Sequence, residues 1–125
     1  MIESIRHIFI DETNRQLDAI ELELQSEFGV TFNKKLAEKV FLAMHSIKGT
    51  SPMFGFNKLP SFIIPIEKTF DRIRKDEIIL TTELKEKTEE VVKIIKNVLV
   101  NNNDIHITEG EDEKALITFF KNLST

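Results

Sequence analysis

Hydrophobic residues recur along most of the chain at the three- and four-residue intervals that are typical of amphipathic helices. Three such stripes consist of Ile5, Phe9, Leu17, Ile20 and Leu24, then Leu59, Ile63, Ile66, Phe70 and Ile73, then Leu84, Thr88, Val91, Ile95 and Val98. Each stripe predicts a helix with one buried face. A further helix is predicted between the first two, from about residue 36 to residue 49. Its apolar face consists of Leu36, Val40, Ala43, Met44 and Ile47.

Glycines, prolines and short polar residues mark the expected helix ends, because they favour turns or cap unpaired backbone groups. The expected C-terminal ends are Gly29 for the first helix, Gly49 and Pro52 for the second, and residues 101–104 for the fourth. The expected N-caps are Thr31 or Asn33 for the second helix, Asn57 for the third, and Thr81 or Thr82 for the fourth. Pro65 lies inside the third helix and is expected to kink it.

Four helices with short connections and one apolar face each predict an all-α fold, an up-down-up-down four-helix bundle over about residues 1–100. Residues 101–125 are predicted to form a loop and a short additional helix that packs across the bundle. The apolar face of this helix consists of Leu116, Ile117, Phe120 and Leu123. A chain of 125 residues is expected to be a single domain.

Composition excludes several classes of protein. The chain is 41% hydrophobic and 30% charged, which is typical of a soluble globular protein. Its formal net charge of −4 argues against electrostatic binding to nucleic acid. No apolar run approaches the roughly 20 residues that span a membrane, and no signal-peptide pattern is present. We therefore expect a cytoplasmic protein that binds neither nucleic acid nor membrane.

His45 lies on the predicted second helix but points away from its apolar face, so we expect an exposed imidazole. Lys48 and Gly49 follow at three and four residues and are therefore its neighbours on the helix surface. A neutral imidazole is a nucleophile near neutral pH, a lysine ammonium attracts a phosphoryl group, and a glycine leaves room for a partner. This arrangement predicts phosphorylation of His45, with Lys48 stabilising the phosphoryl group.

The string His45-Ser46-Ile47-Lys48-Gly49, followed by Phe54-Gly55-Phe56, resembles the histidine phosphotransfer (HPt) domains of bacterial two-component signalling. It is most similar to the N-terminal phosphotransfer domain of chemotaxis histidine kinases. Phe9-Ile10-Asp11-Glu12, with Leu17 and Glu21, is similar to the family's first helix. The resemblance covers roughly residues 1–100.

Glu67 occupies the place where the family carries a Gln or Glu that hydrogen-bonds the phosphorylatable histidine. In a bundle the second and third helices are neighbours, so Glu67 is expected to reach His45, accept from Nδ1–H and leave Nε2 facing solvent. The alternative is a salt bridge from Glu67 to Lys68 or Arg74. The chemotaxis-type pattern often has a second histidine three residues before the carboxylate, and this chain has Ile64 there.

Apolar residues are also expected on the surface around His45. Leu42 projects to the solvent side near His45 and Gly49, Phe41 lies at the border of the apolar face, and Ile64 points the same way from the third helix. These residues predict a docking surface for a partner, with Gly49 allowing close approach.

The resemblance implies a phosphoryl carrier. His45 would accept a phosphoryl group from a histidine kinase catalytic domain or a receiver, and pass it to an aspartate of a response-regulator receiver domain. No P-loop or other nucleotide motif, no metal site and no cofactor site is found, so we expect a monomeric carrier that is not itself an enzyme. The alternative is a phosphate-independent HPt-like adaptor that binds a receiver or kinase domain. Whether the chain stands alone or belongs to a larger kinase stays open.

Overall fold

The computed structural model describes the backbone of residues 2–26 and 30–125, and the side chains of residues 4–26 and 33–125. Helices dominate the described residues. In chain order they are α1 (Ile2–Leu24), α2 (Val30–Thr50), a 3₁₀ turn (Ser51–Phe54), α3 (Leu59–Arg74), α4 (Thr82–Asn101) and α5 (Glu111–Ser124). The predicted all-α fold is therefore confirmed.

Polar contacts between helices show how they run relative to one another. They join Arg6 to Asn102 and Glu21 to Lys96 between α1 and α4, and Lys34 to Asp76 and Lys48 to Glu67 between α2 and α3. In both pairs the contacts run in opposite directions: the later residue of the first helix meets the earlier residue of the second, so the helices are antiparallel. The most extensive packing is between α2 and α3, and α1 lies against both α2 and α4. Four helices thus form the predicted bundle.

The apolar stripes of α2, α3 and α4 are buried as predicted, and every member named above is less than a tenth exposed. The first stripe is only partly correct. Leu17, Ile20 and Leu24 are buried, whereas Ile5 is 49% exposed. Phe9 is half-buried and packs against the core, with its ring stacked on Phe54 of the 3₁₀ turn at a centroid distance of 4.9 Å.

Several helix ends differ from the sequence-based predictions. Helix α2 begins at Val30, so Thr31 and Asn33 lie inside it and neither is its N-cap. It ends at Thr50, one residue beyond Gly49, and the 3₁₀ turn with Pro52 in its first turn follows directly. The predicted stop at Gly29 lies outside the described residues.

Other ends agree with the sequence. Thr81 caps α4, since its Oγ1 accepts from the Leu84 N–H at 3.1 Å. Asn102 ends α4 in the left-handed conformation, with a φ of 58°. Gly55 closes the 3₁₀ turn at a φ of 89°, a value that favours glycine. Helix α3 continues through Pro65, and the predicted kink stays a prediction.

The N-cap of α3 is the clearest correction. The cap position is Lys58 and not Asn57, and the Lys58 side chain does not cap the helix. The capping group comes from residue 104 instead: one carboxylate oxygen of Asp104 accepts from the Lys58 N–H at 2.7 Å and from the Leu59 N–H at 2.8 Å. Asp104 is buried, so its charge is held by these donors and by the positive end of the helix dipole.

This long-range cap helps fasten the C-terminal segment to α3. Further along, the Thr69 hydroxyl lies 3.1 Å from the carbonyl of Phe120 and 2.8 Å from that of Pro65, which share its one proton, and Arg72 donates to the carbonyl of Leu123 at 2.7 Å. Leu116 and Phe120 of α5 are buried. Helix α5 therefore packs mainly along α3, the helix that carries Glu67.

We expect Asp104→Ala to lower the free energy of unfolding by about 2 kcal/mol, because two buried N–H groups lose a charged acceptor. Urea unfolding followed by circular dichroism measures the change. The matched control is Glu86→Ala, an exposed carboxylate on α4. Equal stabilities for the two variants would show that Asp104 does not stabilise the start of α3.

Candidate functional site

His45 lies on the ridge of α2 that faces away from the core. Its neighbours Met44 and Ile47 are fully buried, whereas 63% of the His45 side chain is exposed. The helical period explains the difference, since residues 44 and 47 fall on one side of the helix and residue 45 on the other. The imidazole is therefore accessible to another protein.

Glu67 lies opposite His45 on α3 and is mostly buried, with 12% of its side chain exposed. It follows Ile66, which belongs to the core, so the carboxylate emerges at the edge of the interface between α2 and α3. Its Oε2 is 3.5 Å from His45 Nδ1. That distance gives an electrostatic contact but is longer than a normal hydrogen bond. Oε2 has no hydrogen-bond donor among the described residues.

Lys48 contacts the same carboxylate. Its Nζ donates to Glu67 Oε1 at 2.8 Å, so Glu67 lies between the imidazole and the ammonium. The helical spacing predicts that Lys48 is next to His45 but not that it pairs with Glu67, although the one-turn spacing of the two basic residues is a signal that both reach the same neighbouring helix. The alternative partners of Glu67 are not used: Lys68 is exposed, and Arg74 pairs with Asp71 and Glu38.

The remaining predicted residues lie on the two flanks of His45. Leu42 and Gly49 lie about 40–60° round the helix on one flank, and Phe41 and Lys48 lie at similar angles on the other. The second flank faces α3, where the Phe41 ring stacks on the imidazole at a centroid distance of 6.0 Å. Phe41 and Leu42, which were both predicted to belong to the docking surface, therefore lie on opposite flanks of His45.

The first flank faces α1. Leu42 is 54% exposed and lines an open groove of about 360 Å³ between α1 and α2, with Arg15 and Lys39 among the other lining residues. A side chain at Gly49 would meet no atom of the described residues within 4 Å. Ile64 is 40% exposed on α3 and does not line this groove. The structure thus brings Leu42 to this groove, and a single docking surface that also includes Ile64 stays a prediction.

Two classes of feature are missing from the described residues. They contain no group of three or more His, Asp or Glu side chains arranged to hold a metal ion. None of the helices in that part of the chain is long and apolar enough to cross a membrane. His7 and His106 are exposed and have carboxylate neighbours only on their own segments, at 3.3 Å (Asp11) and 3.4 Å (Glu109).

Comparison with known proteins agrees with this geometry. The family model of the Hpt domain matches residues 4–106, a range that includes His45, Lys48 and Glu67. The chain belongs to the Hpt domain family. As an Hpt domain it is a histidine phosphotransfer module of two-component signalling. The match ends before α5, which lies beyond the part described by the family.

This chain is also similar to the chemotaxis protein CheA of Borreliella burgdorferi, with 23% identity over 120 residues. The alignment covers 94% of this chain and 14% of CheA. No solved structure matches the chain. The predicted resemblance to phosphotransfer domains, and to the chemotaxis type in particular, is thus confirmed.

We expect the imidazole of His45 to carry its proton on Nδ1, because Glu67 lies on that side of the ring. Long-range ¹⁵N–¹H correlation spectra, recorded with the ring in its neutral form, report the tautomer directly. Glu67→Ala should reduce the Nδ1–H share, and Lys48→Ala, which keeps the carboxylate, should preserve it. Identical spectra for Glu67→Ala and the unchanged protein would contradict the orienting contact.

Proposed function

We propose that His45 is the phosphoacceptor of this Hpt domain. The observation that carries the proposal is the exposed imidazole with its Nδ1 turned toward Glu67, 3.5 Å away. Since the two ring nitrogens point in different directions, this orientation leaves Nε2 toward solvent with a free lone pair. An oriented, accessible nucleophile is what phosphoryl transfer requires of the acceptor.

The proposed first transfer conserves all atoms and charges. The Nε2 lone pair attacks the phosphorus of the donor and forms an N–P bond, while the bond from phosphorus to the donor's leaving oxygen breaks and its electron pair stays on that oxygen. The Nδ1 proton stays on the ring, so the product imidazole carries a positive charge. The Glu67 carboxylate offsets that charge.

Lys48 has two uses in this scheme. Before transfer its ammonium pairs with Glu67 at 2.8 Å and offsets part of the negative charge of the carboxylate. As the phosphoryl group arrives, three equatorial oxygens with negative charge come close to the ammonium on the same helix face. The flexible lysine side chain then stabilises the phosphoryl group, and Glu67 is free to interact with the charged imidazole.

The second transfer delivers the phosphoryl group to a receiver. A carboxylate oxygen of the receiver aspartate attacks the phosphorus, the N–P bond breaks, and its electron pair returns to Nε2. We propose that the donor is a histidine kinase catalytic domain or a phosphorylated receiver, and that this module is a cytoplasmic carrier. Because the chain spans a small part of CheA, membership in a larger chemotaxis kinase is a proposal of the same kind.

The partner is proposed to dock over His45 with Leu42, Gly49 and Ile64 beneath it. Two apolar side chains are exposed, Leu42 at 54% and Ile64 at 40%, and a Cβ added at Gly49, one turn after His45, would meet nothing within 4 Å. We propose that these residues form one patch, the kind of exposed apolar surface that marks a partner site. The open space at Gly49 lets the partner's backbone approach Nε2 closely.

We expect His45→Gln to abolish phosphate acceptance from a cognate kinase or phosphorylated receiver. Stability should change by less than about 0.5 kcal/mol, because the side chain lies on the surface. The matched controls are His7→Gln and His106→Gln, which remove the other two histidines. Retained acid-labile phosphate in His45→Gln would end the assignment. If the unchanged protein and all three variants fold but none takes phosphate, the result would favour the adaptor function.

We expect Leu42→Glu and Gly49→Arg each to weaken receiver binding about tenfold or more, because each places a bulky charged group on the proposed contact surface. Titration calorimetry with a cognate receiver measures the dissociation constant. The control is Val100→Glu, which makes a similar change at a residue of α4 that is 75% exposed. Unchanged affinity for both site variants would place the docking surface elsewhere.

A further inference from the structure

The ring of Phe41 stacks on the imidazole of His45. It lies one helical turn before the histidine on α2, on the flank that faces α3. The two ring centroids are 6.0 Å apart and the planes differ by 17°, which is a parallel, offset stack. The side chain is half-buried, so most of its freedom is already lost to packing.

Arg74 of α3 holds Phe41 in turn. The central carbon of its guanidinium group lies 3.8 Å from the centroid of the Phe41 ring, a close cation–π contact. Its Nε donates to Asp71 at 2.8 Å, and one terminal nitrogen donates to Glu38 at 3.2 Å. The guanidinium plane is thus bonded to carboxylates on both α2 and α3.

The carboxylates around Arg74 favour its charged, hydrogen-bonded form. Hydrogen bonds to Asp71 and then to Glu38 raise the pKa of Arg74. Hydrogen bonds from Lys75 and then from Arg74 lower the pKa of Asp71, although partial burial opposes the shift. Arg74 therefore stays charged, and its fork of donors keeps it over the phenylalanine ring.

The contact from Glu67 does not by itself fix the imidazole. A single contact of 3.5 Å restrains one nitrogen but lets the ring plane tilt about it. A flat aromatic surface against the ring restrains that tilt. Together, the carboxylate sets which nitrogen faces inward and the phenylalanine sets the plane in which Nε2 points outward.

We propose that Phe41 is a positioning residue for phosphoryl transfer, held by Arg74, and that it aligns the His45 imidazole for in-line attack; this rests on the proposed function of His45. Phe41 was predicted to belong to the docking surface, and the two roles have different kinetic consequences. Substitution of a docking residue lowers the affinity for a partner. Substitution of a positioning residue lowers the rate constant of transfer within the complex.

The experiment uses Phe41→Leu, which removes the ring, and Phe41→Tyr, which keeps it. Arg74→Met removes the cation without changing Phe41, so the role is testable even if Phe41→Leu folds poorly. The matched control is Phe119→Leu on α5, a half-buried phenylalanine that also has a nearby cation, Lys87. Thermal unfolding checks that all variants are folded.

Two measurements are made on each protein. The first is the ring-proton chemical shift of His45 without phosphate, which an aromatic neighbour displaces. The second is single-turnover phosphorylation over a range of kinase concentrations. Phe41→Leu should lose the displaced shift and lower the maximal rate constant about three- to tenfold, the range that an aromatic pair of ordinary strength supplies. The half-saturating kinase concentration should stay constant. Arg74→Met should give a ring shift and a maximal rate constant between those of Phe41→Leu and the unchanged protein, and Phe41→Tyr should have both values of the unchanged protein.

The outcomes separate this inference from the proposed function. A wild-type maximal rate constant in Phe41→Leu, or an effect confined to the half-saturating concentration, would overturn the positioning role while leaving His45 as acceptor. An unchanged ring shift in Phe41→Leu would show that the stack does not form. Failure of the unchanged protein to take phosphate would overturn the proposed function and with it any role in transfer, whatever the ring shift shows.

Discussion

The candidate site depends on the contacts of the Glu67 carboxylate, which lies between the imidazole of His45 and the ammonium of Lys48. It joins α2 to α3 at the point where the core ends and the surface begins. The position matters because a fully buried carboxylate would lose most of its hydration, and a fully exposed one would be screened by water. At 12% exposure Glu67 avoids both extremes.

The packing of α2 against α3 makes this interaction possible. Two more polar contacts lie along the same antiparallel interface, Glu38 with Arg74 and Lys34 with Asp76. Each joins a residue of α2 that precedes Lys48 to a residue that follows Glu67, Arg74 at the end of α3 or Asp76 just beyond it, as the antiparallel arrangement requires. On the other side of α3, Asp104 caps the first turn and α5 packs along the helix. Helix α3 is therefore supported from two directions, which keeps Glu67 in register with His45.

The sequence was sufficient for the features that depend on local pattern. The spacing of Ile63, Ile66 and Phe70 predicts the buried face of α3, and the same period predicts that His45 is exposed. Features that depend on distant residues were missed. The cap of α3 comes from Asp104, 45 residues after Leu59, and no local signal connects the two.

The same limit applies within the site. From the sequence, Arg74 is an alternative partner for Glu67, but in the structure it pairs with Asp71 on its own helix and with Phe41 and Glu38 on α2. Which of several nearby partners a long side chain selects depends on the relative rotation of two helices, and a hydrophobic stripe leaves that angle undetermined. Ile5 is exposed although it falls on the predicted stripe, because periodicity alone does not show which turns of a helix its neighbours cover.

We propose that the Glu67 carboxylate holds one ring nitrogen of His45 so that the other reacts. The test is to determine which nitrogen of His45 carries the phosphate, by ³¹P–¹⁵N correlation on the phosphorylated protein with ¹⁵N-labelled histidine. We expect a single N–P bond at Nε2 of His45, with the proton still on Nδ1. A phosphate on Nδ1, or on another residue, would contradict it.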